Sequence, residues 1–148
     1  MRLLWAVDHN LQLTSKRMVN AIGLTGPQRM VIRLVGRFPG ISAGSLAQTL
    51  HLHPSTLTGV LKRLETREII WRKADPADGR RALFGLTEKG KALDLPAAGT
   101  VESAVSAALA KLPQPVIDSA SQALTQIATE LAEQLEANKA SAQPGNRF

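Results

Sequence analysis

A short stretch of the chain concentrates side chains that can hydrogen-bond to bases or neutralise phosphates. Between His53 and Glu65, leucine and valine recur at positions i, i+3, i+4 and i+7, a spacing that predicts an amphipathic helix. The face opposite that apolar stripe carries small polar residues and cations and no acid: Ser55, Thr56, Thr58, Gly59, Lys62 and Arg63. A helix that lies in the major groove needs such side chains, whereas a solvent-facing helix usually mixes Glu with Lys. The pattern favours contact with DNA, and a coincidental polar face is the alternative.

A second group of cations follows in a segment with a different periodicity. Strand-favouring residues occupy positions 69–73, and an apolar run occupies positions 82–86. The turn-forming residues 75–81 separate the two runs, which predicts a two-stranded hairpin. Arg80 and Arg81 at its tip can reach a narrow minor groove, whose negative potential attracts guanidinium groups. The alternative is a solvated turn whose arginines pair with the neighbouring aspartates. The further candidate DNA contacts in this hairpin are Arg72, Lys73 and Asp78.

The distribution of charge suggests that different parts of the chain bind different partners. Residues 1–91 contain 15 of the 18 Lys and Arg and 6 of the 12 acids, so this part carries +9 and the remainder −3. A basic segment joined to an acidic one suggests that one part meets a polyanion and the other meets protein. A merely solvated basic surface would have the same net charge.

Three helices are expected to precede and position the helix that carries the polar, basic face. The first runs from the amino terminus to a stop at Gly23, with Leu4, Val7 and Leu11 on one face. Thr25 caps the second, whose apolar stripe includes Met30, Val31, Leu34 and Val35. Ser42 caps a short third helix, and His53 opens the fourth; both capping residues are placed to contact DNA as well.

The residues after the hairpin predict two more helical segments. Thr87 caps a helix that runs to about Leu112, with a kink or break at Pro96 and Gly99. The last helix carries a near-heptad stripe that needs a partner surface: Ile117, Leu124, Ile127, Leu131 and Leu135. Symmetric dimerisation through the first and last helices covers both stripes in a chain with little other core.

The expected architecture is therefore mainly α with a small two-stranded β-wing, that is, a winged helix-turn-helix with a dimerisation region of terminal helices. The expected divisions are a dimerisation helix at 1–23, a DNA-binding domain at 24–87, dimerisation helices at 88–138 and a flexible tail at 139–148. We expect a cytoplasmic protein, because the apolar run at the amino terminus is shorter than a signal peptide or a membrane span.

The sequence offers little for metal or redox chemistry. It has no cysteine, which excludes disulfides, thiolate zinc ligands and thiol-based sensing. The histidines His51 and His53 form a pair, but His9 lies far away in sequence, and a metal site needs three or four converging ligands. We expect no cofactor and no metal.

Four segments together resemble the MarR family of multiple-antibiotic-resistance-type regulators. They are Leu24–Gln28, Pro54–Thr58 with Leu61 and Arg63–Glu65, Asp75–Arg81, and Leu86–Gly90. Order and spacing agree from about Leu3 to Leu135, and the hairpin run that ends in Leu-Thr-x-x-Gly is the most specific element. The resemblance implies a homodimer of winged helix-turn-helix subunits that binds a palindromic DNA site and regulates transcription, as a ligand-responsive repressor in many relatives.

The resemblance also implies roles for single residues. Asp78 and Arg80 match the family's wing pair, in which the arginine enters the minor groove and the aspartate orients it. Gly79 departs from the family, which commonly has a second arginine there. Relatives often bind a phenolic or anionic effector between the dimerisation helices and the DNA-binding part, and here the local candidates are Trp5, His9, Met18, Arg29 and Met30. Core packing is the alternative for the apolar candidates, and a solvated helix face is the alternative for Arg29.

Two rival functions are weaker. Asp75 and Asp78 could form a metal-binding pair as in a nuclease, but arginines flank them, no third acid is near, and the sequence has no nucleophile motif. A winged helix can also serve as a protein-interaction module. Such a module would more often present apolar or acidic groups where this chain has Ser55, Thr58 and Lys62.

Overall fold

The computed structural model describes the backbone of residues 1–141 and the side chains of residues 1–138. In chain order the elements are α1 (Arg2–Ile22), α2 (Gly26–Arg37), β1 (Ile41–Ser42), α3 (Ala43–Leu50), α4 (Pro54–Thr66), β2 (Ile70–Ala74), β3 (Ala82–Leu86), α5 (Glu88–Leu93), α6 (Val101–Leu109) and α7 (Gln114–Ser141). The chain divides into two compact units, Met1–Ser106 and a second that begins at Ala107.

The helix boundaries follow from local capping chemistry. α1 ends at Gly23, which adopts the left-handed conformation with φ of 67° that glycine tolerates best. The Thr25 side chain accepts a hydrogen bond from the Gln28 backbone N–H, and the Gln28 side chain accepts one from the Thr25 backbone N–H, so α2 begins with a complete capping box. Ser42 caps α3 by accepting from the Ser45 N–H at 3.2 Å. The predicted caps are confirmed.

One apolar core lies beneath these helices and the sheet. The apolar stripe of α4 is buried against α2 and α3, and Ile69, Ile70 and Phe84 close the core from the sheet side. The stripe predicted on α2 is partly wrong, because Met30 is half-exposed and Arg29 and Ile32 are buried instead. The α2 face that packs on the core is therefore rotated by about one residue from the predicted one.

The sheet has three antiparallel strands, whereas the sequence predicted two. β3 lies between β2 and β1, and the register pairs Trp71 with Gly85 and Ile41 with Phe84. β1 contains only two residues, so it has no alternation by which a strand is recognised in a sequence. Its pairing with β3 joins the middle of that strand directly to the start of α3.

The region after the hairpin contains two short helices where the sequence predicted one helix with a kink or break. α5 ends at Leu93 and α6 begins at Val101, so the break occurs at the segment that contains Pro96 and Gly99. In the second unit, α7 continues to Ser141 and therefore past the expected start of the tail at residue 139. Residues 142–148 of that expected tail lie outside the described residues.

Candidate nucleic-acid interface

The polar face of α4 is exposed because its apolar face is anchored in the core. Leu57, Val60, Leu61 and Leu64 are each at most 6 % exposed, which directs the opposite side of the helix to solvent. The exposed side chains there are Ser55, Thr56, Thr58, Lys62 and Arg63, and Gly59 lies half-buried between them. A Cβ added to Gly59 would meet no atom within 4 Å, so the face is open at this point.

The start of α4 is held by local hydrogen bonds. The Nδ1 atom of His53 accepts from the Ser55 N–H at 3.3 Å and lies 2.7 Å from the Ser55 hydroxyl. The Thr58 hydroxyl donates to the Pro54 carbonyl at 2.8 Å, which leaves its oxygen as an outward acceptor. Two hydroxyls at the start of the helix are thus fixed in direction, as contacts to base edges require.

The hairpin formed by β2, β3 and residues 75–81, called the wing below, faces the same side of the unit as α4. A concave cavity of about 880 Å³, called the cleft below, lies between α4, the start of α3 and the wing. Four cations line the cleft, Lys62, Arg72, Arg80 and Arg81, and the single acid among its lining residues is Glu65. A concave surface with this charge balance attracts a polyanion.

The cleft brings together six of the thirteen predicted DNA contacts. Besides the four cations these are Ser42 and Thr58. The other seven line no part of the cleft: His53, Ser55, Thr56, Gly59, Arg63, Lys73 and Asp78. The sequence reasoning missed the start of α3, where Gly44, Ser45 and Gln48 line the cleft. The Ser-x-x-Ser capping pattern at residues 42–45 could have indicated that this helix start belongs to the site.

The tip of the wing is shaped by its two aspartates. The carboxylate of Asp75 accepts from the Ala77 N–H at 2.9 Å, and that of Asp78 accepts from the Arg80 N–H at 3.0 Å. Asp78 therefore fixes the backbone from which the Arg80 side chain projects. Arg80 forms no ion pair with any described residue, whereas Arg81 lies 3.9 Å from Asp75 and is 55 % exposed. The alternative for the wing arginines is an ion pair with the neighbouring aspartates. Arg81 makes such a pair with Asp75 at a long distance, and Arg80 makes none with the described residues.

The body of the wing is stiffened by a ring packed on a glycine. A Cβ added to Gly85 would lie 2.0 Å from Cζ2 of Trp71, so the indole covers the backbone at this position. The ammonium group of Lys73 lies 5.1 Å from the centre of the same ring, a distance at which cation and ring attract each other. Lys73 is thus held along the strand, and it is not among the residues that line the cleft.

The Leu-Thr-x-x-Gly run fixes the far end of the wing. The Thr87 hydroxyl donates to the Glu68 carbonyl at 2.7 Å and accepts from the Gly90 N–H at 3.1 Å. A Cβ on Gly90 would lie 2.1 Å from the Ile69 carbonyl oxygen, so only glycine allows α5 to approach the start of β2 this closely. This specific run of the sequence therefore has a structural role in the placement of the wing.

The predicted effector candidates do not form one pocket. Met18 is a buried residue of α1, Met30 lines a groove between α1 and α2, and Trp5 and His9 lie on the exposed first half of α1. Arg29 is 2 % exposed, so the alternative of a solvated side chain is wrong. Its guanidinium is occupied by Glu102 and by the carbonyl groups of Leu93 and Leu95, which removes the basis for assigning it to an external carboxylate.

The predicted dimerisation residues are exposed within the single chain. On α1 they are Leu4, Val7 and Leu11, and on α7 they are Leu124, Ile127, Leu131 and Leu135, each at least 37 % exposed, while Ile117 is half-buried. Apolar faces of this extent are unfavourable in water unless another surface covers them.

Among the described residues, no three or more His, Cys, Asp or Glu side chains lie together so that they could hold a metal ion. None of the described helices is both long and apolar enough to cross a membrane.

Together, α3, α4 and the wing define a winged helix-turn-helix protein. The family model described as "MarR family" matches residues 24–82. Over 113 residues the chain is 31% identical to the HTH-type transcriptional repressor Rv2887 of Mycobacterium tuberculosis, an alignment that covers 76% of this chain and 81% of the relative. It is 32% identical to the organic hydroperoxide resistance transcriptional regulator of Bacillus subtilis, over 67% of this chain and 69% of the relative. The chain belongs to the MarR family and is a DNA-binding transcriptional regulator.

Solved structures agree with this assignment. The crystal structure of CouR from Rhodococcus jostii RHA1 bound to p-coumaroyl-CoA superimposes with a TM-score of 0.68 at 26% identity, over 85% of this chain and 89% of that chain. The S. aureus MepR–DNA complex superimposes with a TM-score of 0.71 over 88% of this chain and 96% of that chain. At 20% identity the second match concerns the fold alone.

Proposed function

We propose that the protein is a repressor that binds a palindromic operator as a homodimer and is released by a small effector. The observation that carries the proposal is the cleft, in which the recognition helix, the wing and the start of α3 present four cations and three hydroxyl groups on the same side. The expected divisions are part of the proposal, with residues 24–87 as the DNA-binding domain and residues 1–23 and 88–138 as the dimerisation regions. A cytoplasmic location and the absence of enzymatic activity are part of it as well.

The exposed residues of the two elements suit the two grooves of DNA. α4 is a 13-residue helix with an exposed face of small hydroxyl residues, which can enter the major groove and place Ser55 and Thr58 against base edges. The wing carries Arg80 at its tip without an ion pair to any described residue, so its guanidinium is available for the minor groove. Lys62 and Arg72 between them would contact the intervening phosphates.

The exposed apolar faces support the homodimer. A second copy of the chain would cover the stripes of α1 and α7, which the described part of one chain leaves in water. Twofold symmetry would then present two recognition helices to two half-sites, which is why the operator should be palindromic.

The groove between α1 and α2 supports the proposal that a small effector binds the protein. It measures about 460 Å³, and its lining residues include Leu11, Met30 and Val101, with Lys16 as the single charged group. An apolar groove with one cation fits an aromatic carboxylate. The p-coumaroyl-CoA of CouR is a ligand of related aromatic character, and by this analogy the effector of the present chain is an aromatic acid.

The DNA-binding proposal is tested by selection and titration. Duplexes selected from a random pool by the purified protein should share one palindrome, and fluorescence anisotropy should show that it binds well above a shuffled duplex. The affinity should fall steeply as salt rises, because phosphate contacts release counterions. A protein-interaction module would select no common sequence, and a nuclease would cut the duplex when Mg²⁺ is added; either result would contradict the proposal.

The effector proposal is tested on the same complex. Benzoate should release the selected duplex, whereas benzamide, which has the same ring but no charge, should not. The substitution Lys16→Met should remove the response to benzoate and leave DNA affinity unchanged. If benzoate and benzamide act alike, Lys16 does not recognise a carboxylate.

A further inference from the structure

Two arginines on one face of α2 reach the same short segment of the chain. The Arg29 guanidinium lies 2.6 Å from the Glu102 carboxylate, donates to the Leu95 carbonyl at 2.7 Å and donates also to the Leu93 carbonyl. One turn later, Arg33 lies 2.8 Å from the Asp94 carboxylate and donates to the Asp94 carbonyl. All of these groups lie in the first unit, and the partners of the two arginines lie at the end of α5, just after it or in the first turn of α6.

These contacts provide hydrogen-bond donors for carbonyl groups at the break between α5 and α6. The last carbonyl groups of a helix have no partner within that helix. Arg29 and Arg33 donate to three consecutive carbonyls, that of Leu93 at the end of α5 and those of Asp94 and Leu95 just after it, while Glu102 ties the first turn of α6 to the Arg29 guanidinium. Both edges of the break are thereby fastened to α2.

A third position of α2, Gly36, also lies close to the segment that follows α5. A Cβ added to Gly36 would lie 2.3 Å from a carboxylate oxygen of Asp94, so a larger residue at this position would force the Asp94 side chain to shift. Partial burial by itself raises the pKa of Glu102. The hydrogen bond and charge of Arg29, with hydrogen bonds from the Glu102 backbone and Thr100, outweigh that effect and bring the pKa below its usual value.

We propose that Arg29, Arg33, Asp94 and Glu102 form a latch that sets the position from which α6 leaves the winged helix, and thereby the spacing between DNA half-sites that the protein accepts. The proposal rests on the proposed homodimer and palindrome. α2 packs against the recognition helix through the core, and α6 leads along the chain to α7, on which the dimer is proposed to form. A fixed start of α6 reduces the conformations that must be ordered when both half-sites are bound.

The latch residues are positioning residues, because none of them lines the cleft. A merely structural role would lower the stability of the protein and weaken all DNA complexes alike. A role in spacing would instead affect duplexes with two half-sites and leave a single half-site unaffected. The two roles are therefore separable by DNA design.

The experiment compares three duplexes derived from the palindrome that the full-length protein selects. They are the palindrome, the palindrome with one base pair inserted at its centre, and one half-site alone. The insertion changes both the separation and the rotation of the half-sites, since about 10–10.5 base pairs make one turn. We expect the natural protein to prefer the unaltered palindrome over the insertion by about tenfold or more, because a fixed start of α6 makes binding to displaced half-sites more costly.

The variants are Arg29→Met, Arg33→Ala and Glu102→Gln. We expect each to reduce the spacing preference, Arg29→Met the most because it removes every contact of its guanidinium, while half-site affinity stays within about twofold of the natural protein. Glu88→Gln is the matched control: it neutralises an exposed glutamate on α5 that pairs with Lys91 outside the latch, and its spacing preference should not change.

Several results would overturn the latch. One is an unchanged spacing preference in an Arg29→Met protein that unfolds cooperatively and binds the half-site. Another is an equal loss of affinity on all three duplexes, which indicates a structural role alone. If Arg29→Met fails to fold, Arg33→Ala decides, because its side chain is 42 % exposed. If the natural protein selects no palindrome, the proposed function fails before any variant is made, and the latch fails with it.

Discussion

Lys62 provides a quantitative test of the cleft. Its side chain is exposed on α4, lines the cleft and forms no ion pair with any described residue. The substitution Lys62→Ala removes the charge, and alanine favours the helix, so folding should not suffer. Each lysine that neutralises one phosphate contributes about 0.9 to the slope of log affinity against log salt, and two copies in a homodimer contribute about 1.8.

The slope sets the size of the effect at each salt concentration. Relative to 1 M salt, a lost slope of about 1.8 weakens binding about 200-fold at 0.05 M and about 30-fold at 0.15 M. The second figure corresponds to about 2 kcal/mol. Because the contact is to phosphate, the selected palindrome and a shuffled duplex should lose affinity by the same factor.

The assay is anisotropy titration of labelled duplexes at four or more salt concentrations. Lys91→Ala is the matched control, because Lys91 is an exposed helical lysine outside the cleft. The reasoning is refuted if the ratio between natural and variant affinity does not change with salt. It is refuted equally if Lys91→Ala reproduces the effect, since the net charge of the protein would then be responsible.

Three further predictions concern the wing, the dimer and the region of the latch. Gly85→Ala should destabilise the protein by about 1–3 kcal/mol in urea unfolding, because the new methyl group collides with the Trp71 ring; adding Trp71→Ala should remove most of that extra cost, and additive costs would contradict the collision. Leu131→Asp should yield a monomer in sedimentation, and a variant that stays dimeric would show that α7 is not the interface. Glu102 has a lowered pKa in the folded state, so its contribution to stability is present above the usual glutamate pKa of 4.5 and is lost as pH falls through the lowered value; Glu102→Gln should remove that loss, and parallel pH profiles of the two proteins would contradict the contact with Arg29.

The parts of the fold that depend on local chemistry could be predicted from the sequence. The stripe of α4 is periodic, Thr25 and Ser42 are strong caps, and the turn-forming residues of the wing separate two strand-like runs. Each of these signals lies within at most eighteen neighbouring residues, the longest being residues 69–86 of the wing, so one sequence is enough to reveal it.

The parts that depend on distant pairing could not be predicted. β1 is a strand only because it pairs with β3, more than forty residues away. Arg29 is buried because its partner Glu102 lies 73 residues further along the chain, whereas its neighbours on α2 suggest an exposed position. The contribution of α3 to the cleft likewise depends on how the wing folds back towards it, which no local pattern records.

The wing supplies the most direct test of the central claim that the protein binds DNA through its winged helix. A hydroxyl-radical footprint on the selected palindrome should be twofold symmetric, with half-site centres about 34–36 Å or a multiple apart. Arg80→Ala, measured at a concentration that saturates the site, should lose the protection of the flanking minor grooves and keep the protection around α4. An asymmetric footprint, or identical footprints for the natural protein and Arg80→Ala, would contradict the account.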